Sequence, residues 1–262
     1  MFLKKFKTDI SKYGKYALYS TRAQLKSEVA NSYLNWLWWI LDPLCFMLIY
    51  VFMFGYVFNA REKFFPIFVF IGLTMWDFFN KTLKQSVKIV KLNKSVVSKV
   101  YLPKYILLLI KMGVNGFKMG ISFLIVIGML IIWRVPVTWN IVFFVPILLV
   151  LGLIVFGLSC FLLHFGVFVE DLSNVTNIVL RFVFYLTGVF WNITTRLPEP
   201  LNKIAVKCNP IAFLLSSMRD CMIYEKTPDP LLLCIWFLIG VVLSLAGIYI
   251  IYKNENSYVK VI

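Results

Sequence analysis

Long apolar runs are the feature that most constrains how this chain can fold. Six occur, at residues 36–58, 64–79, 105–133, 141–169, 175–191 and 231–252. A helix that crosses the hydrocarbon core of a membrane needs about 20 predominantly apolar residues, and four of the runs easily meet this length. The second and fifth runs are shorter and contain Asp77 and Arg181. Because continuous runs do not fit the alternating strands of a membrane β-barrel, we expect an all-α integral membrane protein.

We predict six transmembrane helices in one domain that covers residues 1–262. The predicted spans are about 36–58, 64–84, 105–133, 141–168, 175–191 and 231–252. The first run follows a mostly polar segment, residues 1–34, and ends in bulky side chains. A signal peptide instead has a short apolar core and a cleavage site of small residues. The first helix is therefore expected to remain uncleaved.

The amount and placement of charge exclude nucleic acid as a partner. Hydrophobic residues make up 61% of the chain and charged residues 15%, although the net charge is +15. A nucleic-acid-binding protein places Lys and Arg among or beside its aromatic side chains. Here most basic residues lie in blocks between the apolar runs. This segregation is typical of proteins that sit in a lipid bilayer.

The distribution of basic residues predicts the orientation in the membrane. Residues 1–34 carry seven Lys or Arg, and segment 80–104 carries seven lysines and no acid. The connections 59–63 and 134–140 carry two and one. Because basic loops stay on the cytoplasmic side, both chain termini are expected in the cytoplasm. Loop 192–230 would then be outside, although it holds five basic and four acidic residues.

Three tryptophans, Trp36, Trp38 and Trp39, stand where the first apolar run begins. Trp prefers the headgroup level of a membrane because its ring is apolar while its N–H needs a polar partner. We therefore expect these residues to anchor the first helix at the cytoplasmic interface. Just before them, residues 16–33 mix apolar and basic side chains, a pattern that predicts an amphipathic helix lying in the interface.

No catalytic motif is evident. The chain has no GxxxxGK[ST] phosphate loop, no HExxH and no GxSxG. Its one histidine, His164, lies inside the fourth apolar run, and its one adjacent acidic pair, Glu170 and Asp171, lies in a short turn after that run. We expect no metal and no cofactor in this chain. A transport or channel role is therefore favoured over catalysis.

The five cysteines form no CxxC pair. Cys208 and Cys221 both lie in the predicted outer loop, where oxidation is possible. The sequence leaves open whether these two are bonded.

Ionisable residues also occur within the apolar runs. Lys104, Lys111 and Lys118 recur at a spacing of seven residues, so they lie near one face of the third helix, and Asn115 joins that face. Arg181 lies in the fifth run. Ionisable groups at membrane depth are costly, usually face the bundle interior and often mark a substrate path.

Several stretches of the sequence, in order, resemble one family. They are NSYLNWLWWILDPL at 31–44, YLPKYILLL at 101–109, FVEDLSNVTNIVLRFVFYLTGVFWNI at 168–193 and LPEPLNKIAVKCNPIAFLLSSMRD at 197–220. The chain resembles the membrane subunit of ABC-2 type exporters for polysaccharides, the permeases for O-antigen, teichoic acid and capsule. The stretches together cover most of the chain.

The resemblance implies a homodimer of six-helix subunits bound to two copies of a separate ATPase, which would hold ATP and Mg²⁺. It implies a multi-pass protein of the cytoplasmic membrane of a bacterium or archaeon. The implied cargo is a glycan or teichoic acid on a polyprenyl pyrophosphate lipid. It also implies two short re-entrant helices in the outer loop as an outer gate. The chain fits this, with two short apolar pieces, 201–206 and 211–218, that are split by Asn209 and Pro210.

Basic groups are the residues that bind phosphate oxygens, so the implied pyrophosphate gives the intramembrane charges a role. The residues predicted to receive the headgroup are Lys111, Asn115, Lys118 and Arg181. The alternative left open is snorkelling of the long side chains, with an ion pair from Arg181 to Asp171 or Asp77.

The cytoplasmic segment 87–100 is predicted to form a short surface helix whose apolar face contacts the ATPase. The coupling residues predicted are Val90, Lys91, Leu92, Lys94, Ser95 and Val96, together with Glu170 and Asp171. The family usually has Arg-Asp where this chain has the acidic pair. The alternative is a solvated basic loop held by anionic lipid headgroups.

Four aromatic residues lie toward the end of the predicted fifth helix: Phe182, Tyr185, Phe190 and Trp191. One hypothesis is an outer gate in which these rings stack on sugars. The alternative is an aromatic belt that faces lipid.

Two other functions remain open at this point. The chain could be an integral membrane transferase that acts on lipid-linked glycosyl or phosphate groups, or a membrane anchor for a larger complex. A neighbouring gene for a phosphate-loop ATPase would favour export.

Overall fold

The computed structural model of the chain describes residues 2–30, 33–57, 62–136 and 138–261. All regular secondary structure within these ranges is helical, in agreement with the all-α prediction. The helices are α1 (Phe2–Val29), α2 (Trp38–Tyr50), α3 (Phe65–Leu92), α4 (Lys94–Val97), α5 (Lys104–Ile132), α6 (Phe144–Phe168), α7 (Leu172–Leu186), α8 (Ile193–Arg196), α9 (Leu201–Cys208), α10 (Pro210–Met222), α11 (Pro230–Lys253) and α12 (Glu255–Val261). A π-helix, Val51–Val57, continues α2, and 3₁₀ turns precede α2 and α6.

Four helical stretches in the described residues are long and apolar enough to cross a membrane. They are Trp38–Val57, Lys104–Ile132, Trp139–Phe168 and Pro230–Lys253. These correspond to the first, third, fourth and sixth spans predicted from the sequence. Phe58, the last residue of the first predicted span, lies outside the described residues.

The second and fifth predicted spans differ from the helices observed. α3 continues eight residues beyond position 84, because the lysine-rich stretch that follows the apolar run extends the same helix. α7 is a 15-residue apolar helix that ends at Leu186. Gly188 lies just beyond it with a φ of 68°, a left-handed conformation that a helix cannot continue through. The predicted helix over 175–191 is therefore too long at its end.

The break between the short helices α9 and α10 is specified locally. The Asn209 side chain accepts hydrogen bonds from the backbone N–H groups of Ile211 and Ala212, at 3.0 and 3.3 Å. Pro210 occupies the first turn of α10, where its missing N–H has no helical partner to lose. α9 and α10 are thus two separate helices, as the Asn-Pro pair predicted.

α1 runs alongside the first half of α5 in the same direction. The Tyr13 hydroxyl donates to the carbonyl of Tyr101 just before α5 begins, at 3.2 Å. Further along, Glu28 forms an ion pair with Lys118 at 2.5 Å. The amphipathic helix predicted at 16–33 is thus the second half of a 28-residue helix, although residues 31 and 32 lie outside the described part of the chain. Its place in a membrane interface stays a prediction.

The two ends of the chain meet at one end of the bundle. Tyr252, at the end of α11, donates its hydroxyl to the carboxylate of Asp9 in α1. Lys104 is 2% exposed and lies 3.7 Å from the Glu255 carboxylate at the start of α12. The spacing placed this lysine on the same face as Lys111. Its charge is therefore paired with a carboxylate at the start of α5.

α6 packs against α3 and α11 in the centre of the molecule. Its approach to α3 depends on Gly166. A Cβ at this position would lie 2.1 Å from the carbonyl oxygen of Val87. Small residues allow membrane helices to approach this closely, so the absence of a side chain fixes the contact.

We predict that Gly166→Ala lowers the stability of the purified protein by about 1–3 kcal/mol, because the added methyl forces α3 and α6 apart. Gly152→Ala is the matched control on the same helix, since nothing lies within 4 Å of a Cβ there. Thermal unfolding in detergent measures both. Equal melting temperatures for the two variants would contradict the close contact.

Candidate functional site

A cavity of about 580 Å³ opens between the end of α1 and helices α2, α3, α5 and α7. Its lining combines charged and aromatic side chains. The cations are Lys81, Lys84, Lys118 and Arg181, and the anions are Glu28, Asp42 and Asp77. Cations therefore exceed anions by one, and the cavity is weakly attractive for a negatively charged group.

The cations differ in what they contact. Lys81 pairs with Asp77 on the next turn of α3 at 2.7 Å. Lys118 pairs with Glu28 at 2.5 Å. Among the residues that the structure describes, Lys84 and Arg181 form no ion pair. These two are therefore available to a ligand without loss of an internal contact.

Asn115 connects two walls of the cavity. It is 4% exposed, and its amide nitrogen donates to the Thr82 hydroxyl at 3.0 Å and to the Gln85 side-chain oxygen at 3.1 Å. A buried polar group requires such partners, because an unmade hydrogen bond costs about 1–3 kcal/mol. The amide thus fixes α5 against α3 at the level of the cavity.

Aromatic rings supply much of the apolar lining. Trp76 and Phe184 pack with their ring centroids 5.2 Å apart across α3 and α7. Trp39 meets Phe117 of α5 edge to face at 5.5 Å. Cationic groups beside an apolar wall can accommodate an amphiphile with an anionic headgroup.

A model of the ABC-2 type transporter family matches residues 17–223. The chain belongs to the ABC-2 type transporter family. An O-antigen export system permease protein RfbA of Myxococcus xanthus is 24% identical over 239 residues, which covers 90% of this chain and 91% of the relative. A protein of the same name from Klebsiella pneumoniae is 23% identical over 244 residues, covering 92% and 93%. With its several long apolar helices, this ABC-2 type transporter is a multi-pass membrane protein.

Three of the four residues predicted to receive a headgroup line the cavity of this ABC-2 type transporter. They are Asn115, Lys118 and Arg181, whereas Lys111 is not part of the lining. The alternative ion pair from Arg181 to Asp77 or Asp171 is not formed, and Asp77 pairs with Lys81 instead.

Three further charged residues line the cavity although they were not predicted from the sequence: Glu28, Lys81 and Lys84. The spacing of Lys81 and Lys84 after Asp77 was a usable signal, because residues three and four apart share a helix face. No comparable signal marked Glu28, since its position depends on how α1 packs.

The tryptophans at the start of α2 divide between two environments. Trp36 and Trp38 are about half exposed, at 57% and 46%, which suits an interface anchor. Trp38 and Trp39 also line the cavity. The start of α2 is therefore both a surface and a cavity wall.

The predicted coupling segment is built differently from the single surface helix expected over 87–100. α3 continues through Val90, which is buried, to Leu92, and α4 adds only one turn, Lys94–Val97. Leu92 and Ser95 are exposed, Lys94 is exposed, and Val96 is half-buried. The apolar face that includes Val90 thus packs inside the subunit and leaves a smaller exposed surface.

Two parts of the predicted coupling region do meet. Lys91, near the end of α3, pairs with Glu170 in the turn before α7 at 3.2 Å. Asp171 stands next to it at the start of α7. The turn before α7 therefore contacts the end of α3 through an exposed ion pair.

The four predicted gate aromatics do not share one surface. Phe182 and Tyr185 are exposed on α7. Phe190 is 5% exposed and stacks on Tyr50, with ring centroids 4.3 Å apart. Trp191 is half-buried and packs against the same core. A gate formed by all four rings is therefore not present in this conformation.

Arg219 is a buried group that the site predictions missed. Its guanidinium donates to the carbonyl oxygens of Phe68, Gly188 and Val189 at 3.1, 2.8 and 2.7 Å. Burial lowers the pKa of this guanidinium to about 9. Burial also raises the pKa of the neighbouring Asp220 carboxyl to about 6. Arg219 thereby joins α10 to α3 and to the turn after α7.

The five cysteines are all free in the structure. Cys208 is exposed, while Cys221 is buried and donates its thiol to the carbonyl of Met218 at 3.2 Å. The disulfide that the sequence left open is not formed.

We predict that Tyr185→Ala and Phe190→Ala have different effects. Phe190→Ala should lower stability by about 3–5 kcal/mol, because it empties a packed aromatic site. Tyr185→Ala should leave the melting temperature nearly unchanged, since its ring is exposed. A loss of export in Tyr185→Ala at unchanged stability would support contact with sugar, whereas normal export would favour a ring that faces lipid.

Proposed function

We propose that this chain is the membrane-spanning permease subunit of an ATP-driven exporter. Its cargo is a polysaccharide or teichoic acid linked to polyprenyl pyrophosphate, which it moves out across the cytoplasmic membrane. The observation that carries the proposal is the cavity that combines unpaired cations with an aromatic wall. The family match and the relatives named as O-antigen export permeases support it.

The proposed topology has six spans in one domain, with α3 and α7 added to the four long apolar stretches. α9 and α10 contain eight and 13 residues, so they measure about 12 and 20 Å. Both are shorter than the roughly 30 Å hydrocarbon core, which supports a re-entrant pair. The meeting of α1 with α11 at one end of the bundle supports an even number of crossings. The basic residues of 1–34 support a cytoplasmic location for that end.

The proposed assembly is a homodimer with two copies of a separate ATPase, which binds ATP and Mg²⁺. The turn with Glu170 and the end of α3 form the contact surface for the ATPase. Their ion pair supports this assignment, because it places the two elements next to each other on one surface. The competing interpretation remains a basic loop held by anionic lipids.

In the proposed mechanism the pyrophosphate enters from the cytoplasmic leaflet and binds cationic groups of the cavity. Lys118 and Arg181 bind phosphate oxygens through charge-assisted hydrogen bonds. Asn115 holds two helices of the site in register. Lys111 lies on α5 outside the lining and acts earlier on the same path. The aromatic wall accepts the first part of the prenyl chain.

Crosslinking tests the coupling surface. Leu92→Cys and Ser95→Cys, both exposed, should crosslink to the partner ATPase, whereas Val90→Cys should not, because that side chain is 1% exposed. A complete absence of crosslinks from every exposed position between 88 and 100 would contradict the assignment.

Reconstitution tests the transport function. Lys118→Gln and Arg181→Gln in liposomes should keep normal assembly and basal ATPase activity but show about tenfold weaker stimulation by lipid-linked glycan, because each removes one charge-assisted contact. Lys203→Gln is the control, since its side chain pairs with Glu199 on an exposed surface away from the cavity.

The same assay separates the alternative. An integral membrane transferase would convert the lipid-linked substrate chemically without ATP, and the product would be detected by mass spectrometry. A wild-type response to substrate in both Lys118→Gln and Arg181→Gln would show that the headgroup site lies elsewhere.

A further inference from the structure

The cavity contains a carboxylate in a place where a bound phosphate oxygen would be expected. The Glu28 side chain, on the last turn of α1, lies 2.5 Å from the ammonium group of Lys118. An acidic residue at the C-terminal end of a helix is unfavourable, because that end carries partial negative charge. Glu28 therefore does not stabilise α1, and its favourable contact is the one with Lys118.

The two halves of α1 are held with different strength. The first half is fixed by Asp9, which accepts a hydrogen bond from Tyr252, and by the Tyr13 hydroxyl, which donates to Tyr101. In the second half, the Thr21 hydroxyl lies 3.4 Å from the carbonyl oxygen of Ile110 and Leu25 is buried. The Gln24 side-chain oxygen, however, is buried and has no hydrogen-bond partner in the described part of the chain. An unsatisfied buried acceptor opposes docking. The pair between Glu28 and Lys118 is thus an important restraint on the end of α1.

Two other cations of the cavity can bind an anion without the separation of an existing ion pair. Lys84 of α3 and Arg181 of α7 line the cavity and form no ion pair with any residue in the described ranges. An incoming anion meets them without separating an existing pair. A diphosphate carries more than one negative charge, so it can bind two cations first and then compete for a third.

We propose that the cavity binds a lipid diphosphate at Lys84 and Arg181, and that Glu28 is an internal anion that the diphosphate displaces from Lys118. This inference rests on the proposed function, whose cargo carries a pyrophosphate. Displacement completes a site with one cation from each of α3, α5 and α7. It also releases the end of α1. The change caused by an occupied cavity is thereby transmitted along α1 toward its anchored first half.

The binding test uses the full-length chain in lipid nanodiscs, titrated with undecaprenyl pyrophosphate. Glu28→Gln should bind about two- to fivefold tighter than wild type, since removal of a partly exposed competing ion pair has a modest effect. Lys84→Gln should bind about tenfold weaker. Two controls should match wild type. Glu199→Gln removes an exposed ion pair elsewhere, and Lys88→Gln removes an exposed lysine one turn along α3.

The binding outcomes are distinct. An affinity of Glu28→Gln equal to or below that of wild type overturns the competition by Glu28. Unchanged affinity in Lys84→Gln removes this lysine from the site. If wild type binds inorganic pyrophosphate as tightly as the lipid form, the lipid part of the proposal is wrong. If neither wild type nor Glu28→Gln binds either diphosphate, the headgroup site of the proposed function fails as well.

Hydrogen exchange tests the release of the end of α1, both without and with the ligand. Peptides that cover residues 22–29 should exchange faster in Glu28→Gln than in wild type, and wild type should reach the same rate once undecaprenyl pyrophosphate is added. Peptides from the first half of α1 should not change. Equal exchange at 22–29 in wild type and Glu28→Gln would overturn the release of α1, whatever the cargo.

Discussion

The cost of placing charge near hydrocarbon is the constraint on which the rest of this structure depends. α3 begins as a buried apolar helix and continues, without a break, into a lysine-rich half. Each lysine must keep contact with water or find an anion, because an isolated charge in a medium of low polarity is unstable. Asp77 and Glu170 supply two such anions along this helix. The cavity lies where the apolar and the charged halves of α3 meet.

A close helix contact and two side-chain hydrogen bonds hold the charged half of α3 in place. Gly166 brings α6 against the backbone at Val87, and the amide of Asn115 connects α5 to Thr82 and Gln85. The lysines of the cavity therefore lie on helices that are fixed to one another, so this part of the proposed headgroup site is preformed. Preorganised groups bind an anion better because less order is lost on binding.

The region where α10 meets α3 is held by a different interaction, a buried arginine. Arg219 satisfies three backbone carbonyls where α10 meets α3 and the turn after α7. Gly72 leaves the space that the guanidinium occupies, since a Cβ there would lie 2.5 Å from an Arg219 nitrogen. A buried arginine with these partners fixes α10, which is too short to span a membrane. In contrast to the Glu28 pair, this contact is fully buried and is part of the fixed structure.

Local sequence determined a large part of the fold. Apolar length predicted the four long spans, and Asn209 with Pro210 predicted the break between α9 and α10, because capping and backbone restriction act within a few residues. The spacing of polar residues on α5 also placed Asn115 and Lys118 near one helix face, and both line the cavity. The predicted coupling segment was less predictable: the sequence showed an apolar face near Val90 but not that this face is buried inside the subunit.

Tertiary structure alone decided which charges meet. Glu28 and Lys118 are far apart in the chain, and only the parallel packing of α1 on α5 makes them a pair. Tertiary structure also decided that Tyr185 is exposed whereas Phe190 is buried. Their closeness in the sequence did not predict this difference, because the chain turns at Gly188 between them. Sequence periodicity indicates which face of a helix is polar, because the polar face depends only on the residues of that helix. The partner of that face depends on the packing of other helices, so the cavity and its ion pairs emerge only when the bundle is assembled.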